Sequence, residues 1–467
     1  MDNDRDLTIE KLAPLIERRK ISPVELTRFL LDRIGRIDPV LNTYITVTAE
    51  RALAAAGRAE REISRGRYRG ALHGIPVSLK DLFCTRGVAT TAGSRILRGF
   101  VPERNALVVD RLLGAGCLLL GKTNMHEFAF GPTSVNPHYG PVRNPWDPGR
   151  ISGGSSGGSA AGVAAALAIA SLGTDTGGSI RIPAAACGCV GLKPTRGLVP
   201  LDGVIPLSFT LDHVGPLCRS VADAAALLLA LSEPRFDSGQ WRRMLRAIRR
   251  GVKGLRVGVP RDYFFDHIQP AVRHAVLDAV EVFRRLGAEV KEVRLEGMEP
   301  TARLAEEITG DEAAAYHDRW LARRGAAYGR DVRLRLAPGR RATAVAYLRA
   351  LEEMRAYGER LDRVFESVDV LAAPTLPLAP PALDQTEFRS GRRREDVRAA
   401  LLRLTRPGNL SGLPAISLPC GSTPGGLPVG LQLLGRRRDE PTLLRAACAY
   451  ETATEWHERF PPDPAGA

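Results

Sequence analysis

Residues 151–197 read ISGGSSGGSAAGVAAALAIASLGTDTGGSIRIPAAACGCVGLKPTRG. Two glycine-flanked serine loops, Gly153 to Gly158 and Gly177 to Ser179, bracket an apolar segment from Ala160 to Leu172. A segment that is apolar all round belongs in a core rather than in a linker. Some ten residues of helix rise ~15 Å, and four or five residues of strand return about the same distance. A helix out and a strand back would set Ser155 or Ser156 beside Ser179. The glycines let backbone approach backbone. In Thr176-Gly177-Gly178-Ser179 they leave N–H groups bare, as an oxyanion-binding nest requires.

Other chemistries fit these loops less well. Neither carries the lysine of a phosphate loop, and neither reads GxGxxG. Ser155 and Ser156 each match GxSxG, but that elbow follows a strand, and Asn144 to Gly149 reads as turn chemistry. A serine nucleophile needs a base, and no histidine lies near either loop in sequence. Lys80 closes the apolar run His73-Gly-Ile-Pro-Val-Ser-Leu-Lys80. Only seven of the 66 basic residues are lysines, so a lysine inside an apolar run is conspicuous. Burial would lower its pKa and make it a base; the plainer alternative is a strand-end lysine paired to Asp81.

Outward from this core, residues 8–65 read as helices, with Ser22-Pro23-Val24-Glu25 as a capping box. From residue 72, short apolar runs alternate with helical patterns. The runs are Ile75 to Leu79, Cys117 to Leu120, Val214 to Leu217, Leu255 to Val259, Val370 to Ala373, Ala415 to Leu418 and Val429 to Leu434. That grain predicts an α/β layered fold with a largely parallel or mixed sheet. Ser232 to Gly254 reads as a surface helix within the same domain, 299–366 as a long helical stretch, and Leu376 to Arg394 as a loop.

The chain has 467 residues, 44% hydrophobic and 25% charged, which argues against disorder. The formal charge of +14 invites a nucleic-acid reading. The arginine clusters at 242–250, 323–341, 392–394 and 436–438 are spread along the chain without interleaved aromatics, which points instead to a dispersed basic surface. The start, MDNDRDLTIE, has no apolar region of a secretory signal. Ala160 to Leu172 falls short of the ~20 residues that span a bilayer. Seven scattered cysteines argue for a reducing compartment, hence the cytoplasm. Histidine and cysteine spacings support no metal site, and no cofactor is expected.

Together, GGSSGGS, GTDTGGSIRIPA and GLKPTRG, with GIPVSLKD upstream and LPAISLPCG and GLPVGLQLLG downstream, resemble the amidase signature family from about residue 8 to about residue 455. The resemblance implies a single large α/β/α domain over 1–467, its mixed central sheet covered by helices. Residues 1–70 would form N-terminal helices, 72–232 the signature core and 299–412 a helical and loop substrate region. It implies a Ser–cis-Ser–Lys triad of Ser179 as nucleophile, Ser155 as relay, preceded by a cis peptide, and Lys80 as base. Amides of Thr176, Gly177, Gly178 and Ser179 would hold the oxyanion. Ser156 would orient the loop, and Asp175 and Arg181 would hold it by an ion pair. Met125, Phe128, Phe130 and Tyr139 are candidate pocket walls.

Three activities are compatible with this resemblance. The favoured one is hydrolysis of linear amides, with ammonia or an amine released from an acyl-enzyme. The second is the glutaminase component of a tRNA-dependent amidotransferase. The third is a carbamate or urea hydrolase. Against the second stand the absence of an NLxRxDGxRYG-like stretch around Glu312 to Trp320 and the presence of Leu402 where the resemblance calls for an aspartate. Arg355 is a loose counterpart of an arginine that binds the glutamine carboxylate. The hydrolase reading carries the expectation of a small-molecule amide substrate, no nucleic-acid partner, no membrane, and room for a homodimer.

Overall fold

The short apolar runs pair into one eleven-stranded mixed sheet. The computed structural model describes residues 7–233 and 238–464. Residues 1–6, on which most of the N-terminal reading rests, lie outside the described residues. In chain order the strands are β1 (Tyr44–Val47), β2 (Pro76–Lys80), β3 (Leu118–Thr123), β4 (Val135–Asn136), β5 (Gly140–Pro141), β6 (Arg143–Asn144), β7 (Asp147–Ile151), β8 (Ala170–Thr174) and β9 (Val190–Lys193). Then follow β10 (Val214–Cys218), β11 (Arg256–Pro260), β12 (Glu289–Val293), β13 (Val370–Pro374), β14 (Glu387–Ser390), β15 (Arg393–Asp396), β16 (Ala415–Ser422) and β17 (Pro428–Gly435). The central sheet runs β1-β3-β2-β8-β10-β9-β16-β17-β13-β11-β12. The pairs β3–β2–β8 and β13–β11–β12 are parallel; the rest are antiparallel.

Strands covered on both faces read as continuous apolar runs. Every residue of β2, β8, β9, β10, β13 and β17 is buried. The edge strand β12 reads EVKEV, with exposed charges that discourage pairing with another chain. That alternation hid it among helices in the sequence. The helical reading of 8–65 is corrected in one place: β1 interrupts it and pairs with β3. The loop expected at Leu376 to Arg394 contains most of the β14–β15 hairpin. A strand, β7, does precede the first serine loop, but it pairs with β6 and bridges to Ala382 outside the central sheet.

The Ala160 to Leu172 segment divides as its length requires. The Gly157–Ala164 helix is buried throughout, Ala166 turns the chain at φ 56°, and β8 returns. A Cβ on Gly158 would stand 2.4 Å from the carbonyl oxygens of both Asn124 and Thr43, so only glycine lets this helix start lie against the β3 end of the sheet. Three helices, Thr301–Arg324, Arg330–Gly339 and Ala344–Val364, occupy the predicted helical stretch. Among the described residues no helix is long and apolar enough to cross a membrane.

Candidate active site

Lys80 is the last residue of β2, and parallel pairing with β8 brings the end of that strand alongside. The Lys80 Nζ donates to Ser155 Oγ at 2.7 Å and to Thr174 Oγ1 at 2.8 Å. Lys80 and Ser155 are fully buried, and the Gly154–Ser155 peptide is cis. The Ser156 N–H donates to the Ser179 carbonyl at 3.2 Å, and its hydroxyl donates to the Thr174 carbonyl at 3.2 Å. Of the two serines that spacing sets beside Ser179, it is Ser156 whose backbone bonds to it. Ser155 faces the lysine, while Ser156 fastens one serine loop to the other and to β8.

Burial pulls the Lys80 ammonium down to about 7, against the upward pull of Asp212 and Asp175. Asp212 is itself pushed up by burial to about 6. It accepts from the Thr176 hydroxyl at 2.5 Å and from the Leu207 N–H at 2.9 Å. Neither Thr174 nor Asp212 was picked out in the sequence. Thr174 lies within the GTDTGG run and Asp212 just before β10, and the β8–β10 pairing is what brings Asp212 to that run. Asp81 does not pair with Lys80; it lies 3.3 Å from Lys122, a second buried lysine.

Asp175 organises the second loop. Its carboxylate accepts from the N–H groups of Gly178 at 2.8 Å and Ile180 at 3.2 Å. It also takes two bonds from the buried Arg181 guanidinium, both at 3.0 Å. Burial alone would raise this carboxyl, but Arg181, then Lys193 and Asn409, outweigh it and hold it well below the usual carboxylate range. The expected Asp175–Arg181 pair is therefore present. Removing one member leaves a buried charge unpaired. Asp175→Ala is expected to cost about 3–5 kcal/mol of stability, read from denaturant unfolding.

The Gly178 N–H is committed to Asp175, which corrects its place among the expected oxyanion donors. The amides of Gly177 and Ser179 meet no acceptor among the described residues. Gly178 keeps another role: at φ 131°, its Cβ would stand 2.1 Å from Thr405 Oγ1, which donates to the Gly177 carbonyl at 2.6 Å. Gly178→Ala should therefore displace the loop. A fall of about 100-fold in kcat is expected, on the scale of losing an oxyanion donor, with the melting temperature as a folding control.

Ser179, Gly177 and Thr176 open into a cavity of about 870 Å³. Its walls include Phe130, Leu207, Leu402 and residues of the three helices over 301–364. Met125, Phe128, Tyr139 and Arg355 are not among its lining residues. Met125 and Phe128 are packed in the core, the latter against His317 and Tyr328, and Arg355 is exposed on the outside of its helix. Among the described residues no group of three or more His, Cys, Asp or Glu side chains could hold a metal ion.

The family model described as Amidase matches residues 25–444. The A-type subunit of the glutamyl-tRNA(Gln) amidotransferase of Chloroflexus aurantiacus is 42% identical, over 97% of this chain and 98% of its own. A bacterial aryl acylamidase of the amidase signature family superposes with a TM-score of 0.89 at 28% identity, covering 98% of both chains. The corresponding amidotransferase subunit of Thermotoga maritima gives 0.79 at 32% identity, covering 100% of this chain and 99% of that one. These relatives correct the expectation of an enzyme without partners or nucleic acid. Proteins alike from end to end are named as one subunit of an enzyme for glutamyl-tRNA.

Proposed function

Because the chain belongs to the amidase signature family, an enzyme family of carbon–nitrogen bonds, we propose that it cleaves an amide through Ser179 as the ammonia-releasing subunit of an amidotransferase assembly. One observation carries the chemistry: a buried lysine held down to about 7, 2.7 Å from Ser155 on the loop bound to Ser179. Once neutral, Lys80 has a lone pair that accepts the Ser155 proton, and Ser155 accepts that of Ser179. The Ser179 Oγ attacks the carbonyl carbon, and the charge on the carbonyl oxygen is met by the amides of Gly177 and Ser179. The proton then returns along the relay to the departing nitrogen, because an amide anion is a poor leaving group. Water hydrolyses the acyl-enzyme and frees Ser179. Seven cysteines without a disulfide support a cytoplasmic setting.

Full-length similarity at 42% supports the subunit role. The test is ammonia release from glutamine, by the chain alone and with its host's amidotransferase partners and charged tRNA. A rise of about tenfold or more with partners is expected. Turnover of acylamides by the chain, with no glutaminase activity in either case, would reject it.

That second outcome would favour hydrolysis of another linear amide. One observation supports it: Leu402 stands 3.3 Å from where a Gly177 side chain would begin, an apolar wall where an ammonium would want an acid.

The relay also sets a pH dependence. Lys80 works deprotonated, so kcat/KM should rise about tenfold per unit below about pH 7 and level off above it. A profile flat from about pH 5.5 to about 8 would contradict Lys80 as base.

A further inference from the structure

The turn that follows β3 reaches both the relay and the cavity wall. The backbone N–H of His126 donates to the carbonyl oxygen of Ser155 at 3.2 Å, and the Ser134 hydroxyl donates to the same oxygen at 3.3 Å. The Ser134 hydroxyl oxygen in turn accepts from the Gly157 N–H at 3.1 Å. Residues 126–134 therefore hold the backbone of the relay serine from outside its own loop.

The side chain of His126 leads elsewhere. Its Nε2 lies 2.9 Å from Asp331 Oδ2, and the Thr133 hydroxyl lies 3.3 Å from its Nδ1. A carboxylate only accepts, so the imidazole N–H sits on Nε2 and Thr133 donates to Nδ1. Asp331 stands in the first turn of the helix Arg330–Gly339 and also accepts from Arg335 at 2.9 Å. Leu334, Arg335, Pro338 and Gly339 of that helix line the cavity beside Ser179, whereas His126 is not among the lining residues. The neighbouring Glu127 pins the same helix start, accepting from the Gly329 N–H at 2.7 Å and from the Ser94 hydroxyl at 2.5 Å. The turn itself is held under strain. Phe128, Ala129 and Ser134 sit at φ 48°, 58° and 55°, a left-handed backbone that residues other than glycine keep only where their surroundings impose it.

We propose that His126 is a positioning residue for the proton relay: its backbone sets Ser155 against Lys80, and its imidazole ties that setting to the cavity helix Arg330–Gly339. A shift of the helix would then move Ser155 relative to the Lys80 Nζ, 2.7 Å away, and proton transfer depends steeply on such placement. The inference rests on the reading of Lys80, Ser155 and Ser179 as a relay.

The test follows sulfonylation of Ser179 by phenylmethanesulfonyl fluoride, resolved into reagent binding and the rate of bond formation. His126→Ala should slow bond formation about 10- to 100-fold, the scale of a misplaced reacting group, and leave reagent binding unchanged. His126→Gln, whose amide still donates to Asp331, should return to within about threefold of the parent rate. Asp331→Ala should slow the reaction as His126→Ala does, and Asp331→Asn, which still accepts, should not. His126→Ala combined with Asp331→Ala should be no slower than either alone. Thermal unfolding establishes that each variant is folded; if His126→Ala is not, the two Asp331 variants carry the same comparison from a partly exposed position. Bond formation at the parent rate in His126→Ala, a loss confined to reagent binding, a glutamine or asparagine variant as slow as its alanine counterpart, or additive losses in the double variant would overturn the link. Failure of the relay reading is seen separately, as absence of label on Ser179 in the parent chain, and would take this inference with it.

Discussion

A Ser179→Ala variant is expected to lose amide cleavage by about four orders of magnitude in kcat, with substrate binding little changed. The expectation follows from what remains. Lys80 still meets Ser155 at 2.7 Å, and Asp175 still holds the loop through Gly178 and Ile180. No other hydroxyl takes the nucleophile's place, because Ser155 is tied to Lys80 and the Ser156 hydroxyl is spent on the Thr174 carbonyl. The single removed atom is the one that would carry the acyl group. Steady-state ammonia release measures the loss, and unchanged thermal unfolding excludes a collapsed site. A variant that keeps more than about a tenth of the activity would place the acyl group elsewhere.

Lys80→Met is expected to cost about three to four orders of magnitude and to abolish the rise of kcat/KM through about pH 7. The methionine fills a site that is fully buried, so the fold should survive. Lys80→Arg separates the two roles a buried cation could have. Arginine keeps a positive charge but does not give up its proton in a protein. If Lys80 only stabilised charge, Lys80→Arg would retain activity; as the base, it should be as inactive as Lys80→Met. The pH profile of any residual activity is a readout that a merely structural role would not move.

The core of this site was legible because it is local. Both serine loops and the segment between them lie within one stretch of 47 residues. Their spacing alone demands a short helix and a returning strand. Lys80 was legible for another reason. Of the seven lysines, three (Lys80, Lys122 and Lys193) are fully buried, and Lys80 is the one that ends an apolar run next to a serine loop.

What was missed depends on strand order and on side-chain direction. Asp212 reaches Thr176 because β10 lies against β8, a neighbour that no local pattern specifies. Phe128 and Phe130 are two residues apart in one short turn, yet only Phe130 lines the cavity. Phe128 sits at φ 48°, and its ring packs inward against His317. Arg335, Arg398 and Arg406 are separated by up to 71 positions in sequence. Read along the chain they belong to a scattered basic surface; in space they line one cavity.

Whether Lys80 activates Ser179 can be read by labelling the protein with a phenylmethanesulfonyl fluoride-type reagent, which reacts with an activated serine hydroxyl, and mapping the modified peptide by mass spectrometry. One sulfonyl group per chain is expected, on Ser179, formed faster as the pH rises through about 7 and absent in Lys80→Met. Modification of Ser155 or Ser156 in its place, or undiminished labelling of Ser179 in Lys80→Met, would contradict it.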